Sequence, residues 1–132
     1  MSPVFDCTSA PGRAEGVAKA ATGVRAGALV VLPTDTLYGV GADAFTPAAV
    51  QALLAAKGRG QDMPPPVLVA SPETVDGLAT DIPDYARALI AQFWPGALTV
   101  VLKAQPSLMW DLGETGGTVA LRMSNDEIAL AL

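Results

Sequence analysis

Two cations flank one glycine in Lys57-Gly58-Arg59, directly after an apolar helical stretch. Nucleotidyl transfer needs such charge, because negative charge redistributes over phosphate oxygens as the bond breaks and positive groups offset it. A bland role fits as well, since a cation at a helix C-terminus interacts favourably with the helix dipole. A second candidate is Leu32-Pro33-Thr34-Asp35-Thr36-Leu37-Tyr38-Gly39-Val40-Gly41, where an apolar run breaks at proline into hydroxyls, a carboxylate and glycines. Loops after strand ends are frequent ligand sites, and glycine lets a ligand approach the backbone. The alternative is a turn whose Thr and Asp satisfy local amides. Its spacing matches neither a Walker A loop nor G-x-G-x-x-G. The third candidate, Thr118-Val119-Ala120-Leu121-Arg122, is an apolar strand ending in arginine. Such a strand delivers a guanidinium either to a cleft or to solvent. Phe93-Trp94-Pro95-Gly96-Ala97-Leu98-Thr99 reads mainly as packing and a turn. Asp111 and Glu114 lie in a Gly-rich stretch and read as a solvated loop rather than a carboxylate pair.

Composition narrows the chemistry. The chain has 132 residues, one domain's worth, and about half are hydrophobic, with a positive mean hydropathy. That suits an α/β or α+β fold with its own core. Thirteen acidic against eight basic residues give a net charge of −5, which opposes tight non-specific nucleic-acid binding. With no histidine, His-based triads, His-bearing metal sites and imidazole shuttles are excluded. No apolar run reaches the roughly 18–20 residues of a membrane span. The start, Met1-Ser2-Pro3-Val4-Phe5-Asp6-Cys7, lacks the pattern of a secretory signal. Cys7 is the single cysteine, and a lone thiol fits a cytoplasmic setting.

The elements that must position these residues are short and punctuated by Pro and Gly. A first helix is expected over residues 11–26, with Val17, Ala20, Ala21 and Val24 on one face and Gly27 as its stop. Ala28–Leu32 reads as a buried strand. Thr46-Pro47 signals a second helix, capped by the Thr46 hydroxyl, packed through Val50, Leu53 and Leu54 and ended at Gly58. Val67–Ala70 is a short strand, and Ser71-Pro72-Glu73 begins a short helix. A further helix from Asp81 or Pro83 is expected to face the core through Tyr85, Leu89, Ile90 and Phe93. Strands follow at Ala97–Lys103 and Thr118–Arg122, then a last helix capped by Ser124 or Asn125. The chain stops in the apolar Ala129-Leu130-Ala131-Leu132. That ending leads us to expect a chain cut short inside its fold.

Taken in order and spacing, Pro33 to Gly41, Lys57-Gly58-Arg59, Phe93 to Thr99 and Thr118 to Arg122 resemble the YrdC/Sua5 family of L-threonylcarbamoyladenylate synthases. The resemblance covers about residues 15–132. It implies an α+β, α/β-like fold, a twisted mixed sheet flanked by helices around a concave basic cleft. It implies formation of threonylcarbamoyl-AMP and pyrophosphate from L-threonine, CO2 or bicarbonate, and ATP, with Mg2+ held mainly by phosphate oxygens. A partner transferase would then complete N6-threonylcarbamoyladenosine (t6A) at tRNA position 37. By resemblance Lys57 and Arg59 are catalytic and bind nucleotide, as a K-x-R motif. Arg122 is the strand-end arginine, Thr34 the threonine of P-T-[DE], and Tyr38 the aromatic lining the cleft. An alternative within the same fold is a non-catalytic RNA-binding module, with the acidic balance against strong RNA binding.

This chain departs from the family pattern at three places. Gly60 stands where a proline often follows K-x-R, and Leu68 where a histidine is common. The family's Ser-x-Asn motif lies beyond Leu132, since Ser124-Asn125 lacks the intervening residue. Residues 1–132 are therefore expected to be a single YrdC-like domain lacking its C-terminal part.

Overall fold

Ser9 starts the first helix by accepting the Gly12 N–H on its hydroxyl, with Pro11 in the first turn. In the computed structural model, which describes all 132 residues, this helix is α1, Ala10–Arg25. Gly16 is its buried point: a Cβ there would meet Phe5 Cβ at 2.9 Å and Cys7 Sγ at 3.3 Å. The N-terminal segment thus lies across the helix where no side chain intervenes. Gly27, at φ +86°, lets the chain turn away from the helix end.

Strand β1, Val30–Leu32, pairs antiparallel with β2, Gly39–Gly41, so that Leu32 faces Gly39 and Val30 faces Gly41. Helix α2, Pro47–Ala56, buries Ala49, Val50, Leu53 and Leu54. Its start differs from expectation: Thr46 occupies the cap position, but its hydroxyl donates to Asp43 at 2.8 Å rather than capping an amide. After β3, Val67–Leu68, a 3-10 turn at Pro72–Thr74 leads into α3, Val75–Leu78, and β4, Ala79–Thr80. Helix α4 spans Asp84–Phe93, β5 Val100–Ala104, β6 Thr118–Arg122 and α5 Glu127–Ala131.

The expected mixed sheet is present as two pieces. One is the β1–β2 hairpin; the other has the order β3-β6-β5-β4, with β3 parallel to β6 and the remaining pairs antiparallel. Side chains alternate across a strand. On β6, Val119 and Leu121 therefore enter the core, while Thr118, Ala120 and Arg122 share the opposite face. Val119 and Leu121 pack with Leu102 of β5, Val50 and Leu54 of α2, and Ala86 and Ile90 of α4.

Of the expected face of α4, Ile90 turns inward and the other three residues do not. Tyr85, Leu89 and Phe93 are exposed, and the inward stripe is Ala86 and Ile90, continued by Trp94. Small Ala86 allows close approach to the core. Trp94 fixes the rotation by burying its ring and donating Nε1–H to the Leu98 carbonyl at 2.8 Å. The last helix also starts later than expected. Asp126 caps it, accepting from the amides of Ile128 and Ala129, both at 2.9 Å. Ser124 is left for another task.

Candidate functional site

Proline has no N–H to continue the ladder, so β1 ends at Pro33 and the chain crosses to β2 through residues 33–38. Thr34 closes this loop locally. Its Oγ1 accepts from the amides of Thr36 (3.3 Å) and Leu37 (3.2 Å) and donates to the Leu37 carbonyl. The Thr34 hydroxyl is therefore a turn brace here. Leu37 and Tyr38 stand out from the loop, and Tyr38 is 74% exposed.

Asp35 leaves the loop and reaches the far end of β6. The Asn125 amide donates to its Oδ2 at 3.0 Å, and the Ser124 hydroxyl donates to its Oδ1 at 2.9 Å. The Asp35 amide donates back to Ser124 Oγ at 3.2 Å. Arg122 Nη2 donates to the same Oδ1 and forms an ion pair with the carboxylate. Ser124 is the single buried polar residue of the chain, and this exchange satisfies it. The Arg122 and Asp35 side chains keep only 16% and 14% of their exposure. Arg122 is also gripped from behind, where its Nε donates to the Gly96 carbonyl at 3.2 Å. The Gly96 amide in turn donates to the Met123 carbonyl at 2.8 Å. Three of the four motif segments, Pro33–Gly41, Pro95–Gly96 and the end of β6, thus meet at one guanidinium.

The fourth segment lies apart from this cluster. Helix α2 ends at Lys57–Gly58, with Gly58 at φ +63°, and the Lys57 and Arg59 side chains are exposed without an ion-pair partner. No hydrogen bond joins Lys57, Arg59 or Tyr38 to the Arg122 cluster. The connection runs through the backbone. Downstream of Arg59 the chain enters β3, where Leu68 stands in register with Arg122. Gln61 is held to the Gly-rich loop, because its carbonyl accepts the Glu114 amide at 2.7 Å. Gly113, at φ +101°, lies so close that a Cβ would sit 2.6 Å from the Gln61 oxygen. Between these segments and the open face of β5 and β6 is a concavity of about 190 Å3 lined by Pro64, Pro65, Val101, Thr115, Thr118 and Ala120.

The residues missed from the sequence are Asp35, Ser124 and Asn125. The Asn125 amide, the Ser124 hydroxyl and the Arg122 guanidinium hold the Asp35 carboxyl below the usual carboxylate range, against the opposing effect of burial. A depressed carboxylate binds its proton less tightly folded than unfolded. Its contribution to stability is complete above the unfolded value of about 3.9 and fades as pH falls through the folded value. Melting curves at constant ionic strength from pH 6 downward should therefore fall more steeply for the wild type than for Asp35→Asn once the pH drops below about 4. Parallel acid limbs would show that Asp35 carries none of this dependence.

Fold and site together define an α+β protein with an arginine clamped at a strand end and two unpaired cations on a separate loop. The Sua5/YciO/YrdC family model, described as "Telomere recombination", matches residues 23–132. A Mycobacterium leprae relative is 56% identical over 132 residues, covering all of this chain, which spans 60% of that relative's length. The Pyrococcus abyssi protein named threonylcarbamoyl-AMP synthase is 45% identical over 111 residues, 83% of this chain and 32% of its own. The solved structure of P. abyssi Sua5 complexed with L-threonine superposes with a TM-score of 0.80 at 44% identity, covering 87% of this chain and 34% of that one. The chain belongs to the Sua5/YciO/YrdC family.

Proposed function

We propose that this domain makes threonylcarbamoyl-AMP and pyrophosphate from L-threonine, CO2 or bicarbonate, and ATP. The observation that carries the reading is the likeness to Sua5 complexed with L-threonine, and the resemblance of the segments holding Lys57, Arg59 and Arg122 to the family's motifs agrees with it. The reaction is one for cations. The carboxylate of N-carboxy-threonine attacks the α-phosphorus, a new O–P bond forms, and the bond to the pyrophosphate oxygen breaks. Two anions must meet, so charge offset and positioning are the protein's main tasks.

Lys57 and Arg59 are free to take that role, having no carboxylate of their own to neutralise them. Arg122 would hold a substrate oxyanion at the sheet end, with Tyr38 and the Thr34 loop forming the adjacent wall. No three His, Cys, Asp or Glu side chains gather into a metal-ligating group. A magnesium ion would thus arrive with the phosphate oxygens of ATP, adding charge offset at the phosphates. A transferase would move the threonylcarbamoyl group to adenosine 37 of tRNA, in the cytoplasm. The test is pyrophosphate release by the intact protein with bicarbonate and ATP, with and without L-threonine. Threonine-dependent release and an AMP-linked threonylcarbamate product are expected. Release that ignores threonine would reject the reading.

A further inference from the structure

A guanidinium has five N–H donors in a rigid plane. In Arg122, Nε is engaged by the Gly96 carbonyl, and Nη2 by Asp35 and, at 3.4 Å, by Thr36 Oγ1. Nη1 alone has no protein acceptor. Acceptors on two different segments fix both the position and the rotation of the plane, leaving one nitrogen for a ligand. Asp35 is itself immobilised by Asn125 and Ser124, so it does not simply follow the arginine. We propose that Asp35 is a positioning residue that sets the orientation in which Arg122 presents Nη1 to an oxyanion of the substrate. The inference rests on the threonylcarbamoyl-AMP synthase reading for the identity of that substrate. The shared chemistry is a planar or tetrahedral oxyanion, supplied either by the threonine carboxylate or by an ATP phosphate.

Two measurements on the intact protein test it. The first reads orientation directly, as the 15N spectrum of the Arg122 side chain without substrate. Clamped rotation about the Nε–Cζ bond is expected to give separate Nη signals in the wild type, averaged to one in Asp35→Asn. The second reads steady-state kinetics with threonine and ATP varied in turn. Asp35→Asn is expected to raise KM for one substrate by roughly tenfold, the scale of one charge-assisted hydrogen bond, and to leave the other KM near wild type. Which KM rises tells carboxylate from phosphate. Asp35→Glu keeps the charge and should restore part of the loss. In an Arg122→Ala background, Asp35→Asn should add nothing further, because the residue it orients is gone.

Melting curves establish that each variant is folded. If Asp35→Asn unfolds, Asp35→Glu and Thr36→Val carry the test, since the latter removes the second Nη2 acceptor and should loosen the same signal. Unchanged Nη signals in Asp35→Asn, equal rises in both KM values, or full additivity with Arg122→Ala would each overturn the proposal. An inactive wild type with clamped Nη signals would instead reject the synthase reading, and with it the assigned substrate. The orientation measurement would still decide what Asp35 does to Arg122.

Discussion

Arg59→Ala and Lys57→Ala are each expected to cut threonine-dependent pyrophosphate release by about 2–4 kcal/mol of transition-state stabilisation, the scale of one lost donor to a developing oxyanion. Their folding stability should move by no more than about 0.5 kcal/mol, because both side chains are exposed and neither has a protein partner to abandon. That separation is the informative part. A residue that holds the fold loses stability and rate together, whereas one that holds only the transition state loses rate alone. Initial rates and calorimetric melting on the same samples decide between them. Unchanged rates in both variants would remove the loop from the reaction.

The largest stability change is expected at Leu121, which is 0% exposed and lies between Val100 of β5 and Val67 of β3 in the sheet register. Leu121→Ala should cost about 2–5 kcal/mol, combining lost transfer energy with the cavity left behind. Set against a typical total of about 5–15 kcal/mol, that brings the domain near its unfolding threshold. Denaturant titration should show a lower midpoint at an unchanged slope. Leu121 also precedes Arg122, so partial collapse into the cavity would move the strand end and the guanidinium with it. A loss below about 1 kcal/mol would mean that the neighbouring side chains refill the space.

Where one pattern dominated, the sequence was readable. The apolar run Thr118–Arg122 marks a strand ending in arginine, and β6 has those bounds with the guanidinium drawn into a cluster rather than into solvent. The stops at Gly27 and Gly58 hold because both adopt positive φ. On helix α4 the expected Ile90 is buried, but Tyr85, Leu89 and Phe93 are large residues at helical spacing that lie on the exposed side, while small Ala86 takes the inward place. Only Trp94, beyond the helix, decides the rotation. Strands β2 and β4 are three and two residues long, too short for alternation to register. Asp35 escaped notice for a different reason. Its partners lie 87 to 90 residues along the chain, whereas turn chemistry suggested amides close by. Ser124 and Asn125 looked like caps because their types are cap-forming. Asp126, one residue further, takes that place, and its neighbours are left to bind Asp35.

The grip of Glu114 on Gln61 has a mechanical consequence. The cation loop and the Gly-rich loop are separated by some fifty residues of chain, yet they share a hydrogen bond and a contact so close that only glycine fits at 113. They therefore lie packed against each other as one layer. A substitution at Gly113 would press on Gln61 as well, and disturb the segment that carries Lys57 and Arg59. The two loops that border the face of β6 are thus fastened to each other as well as to the sheet.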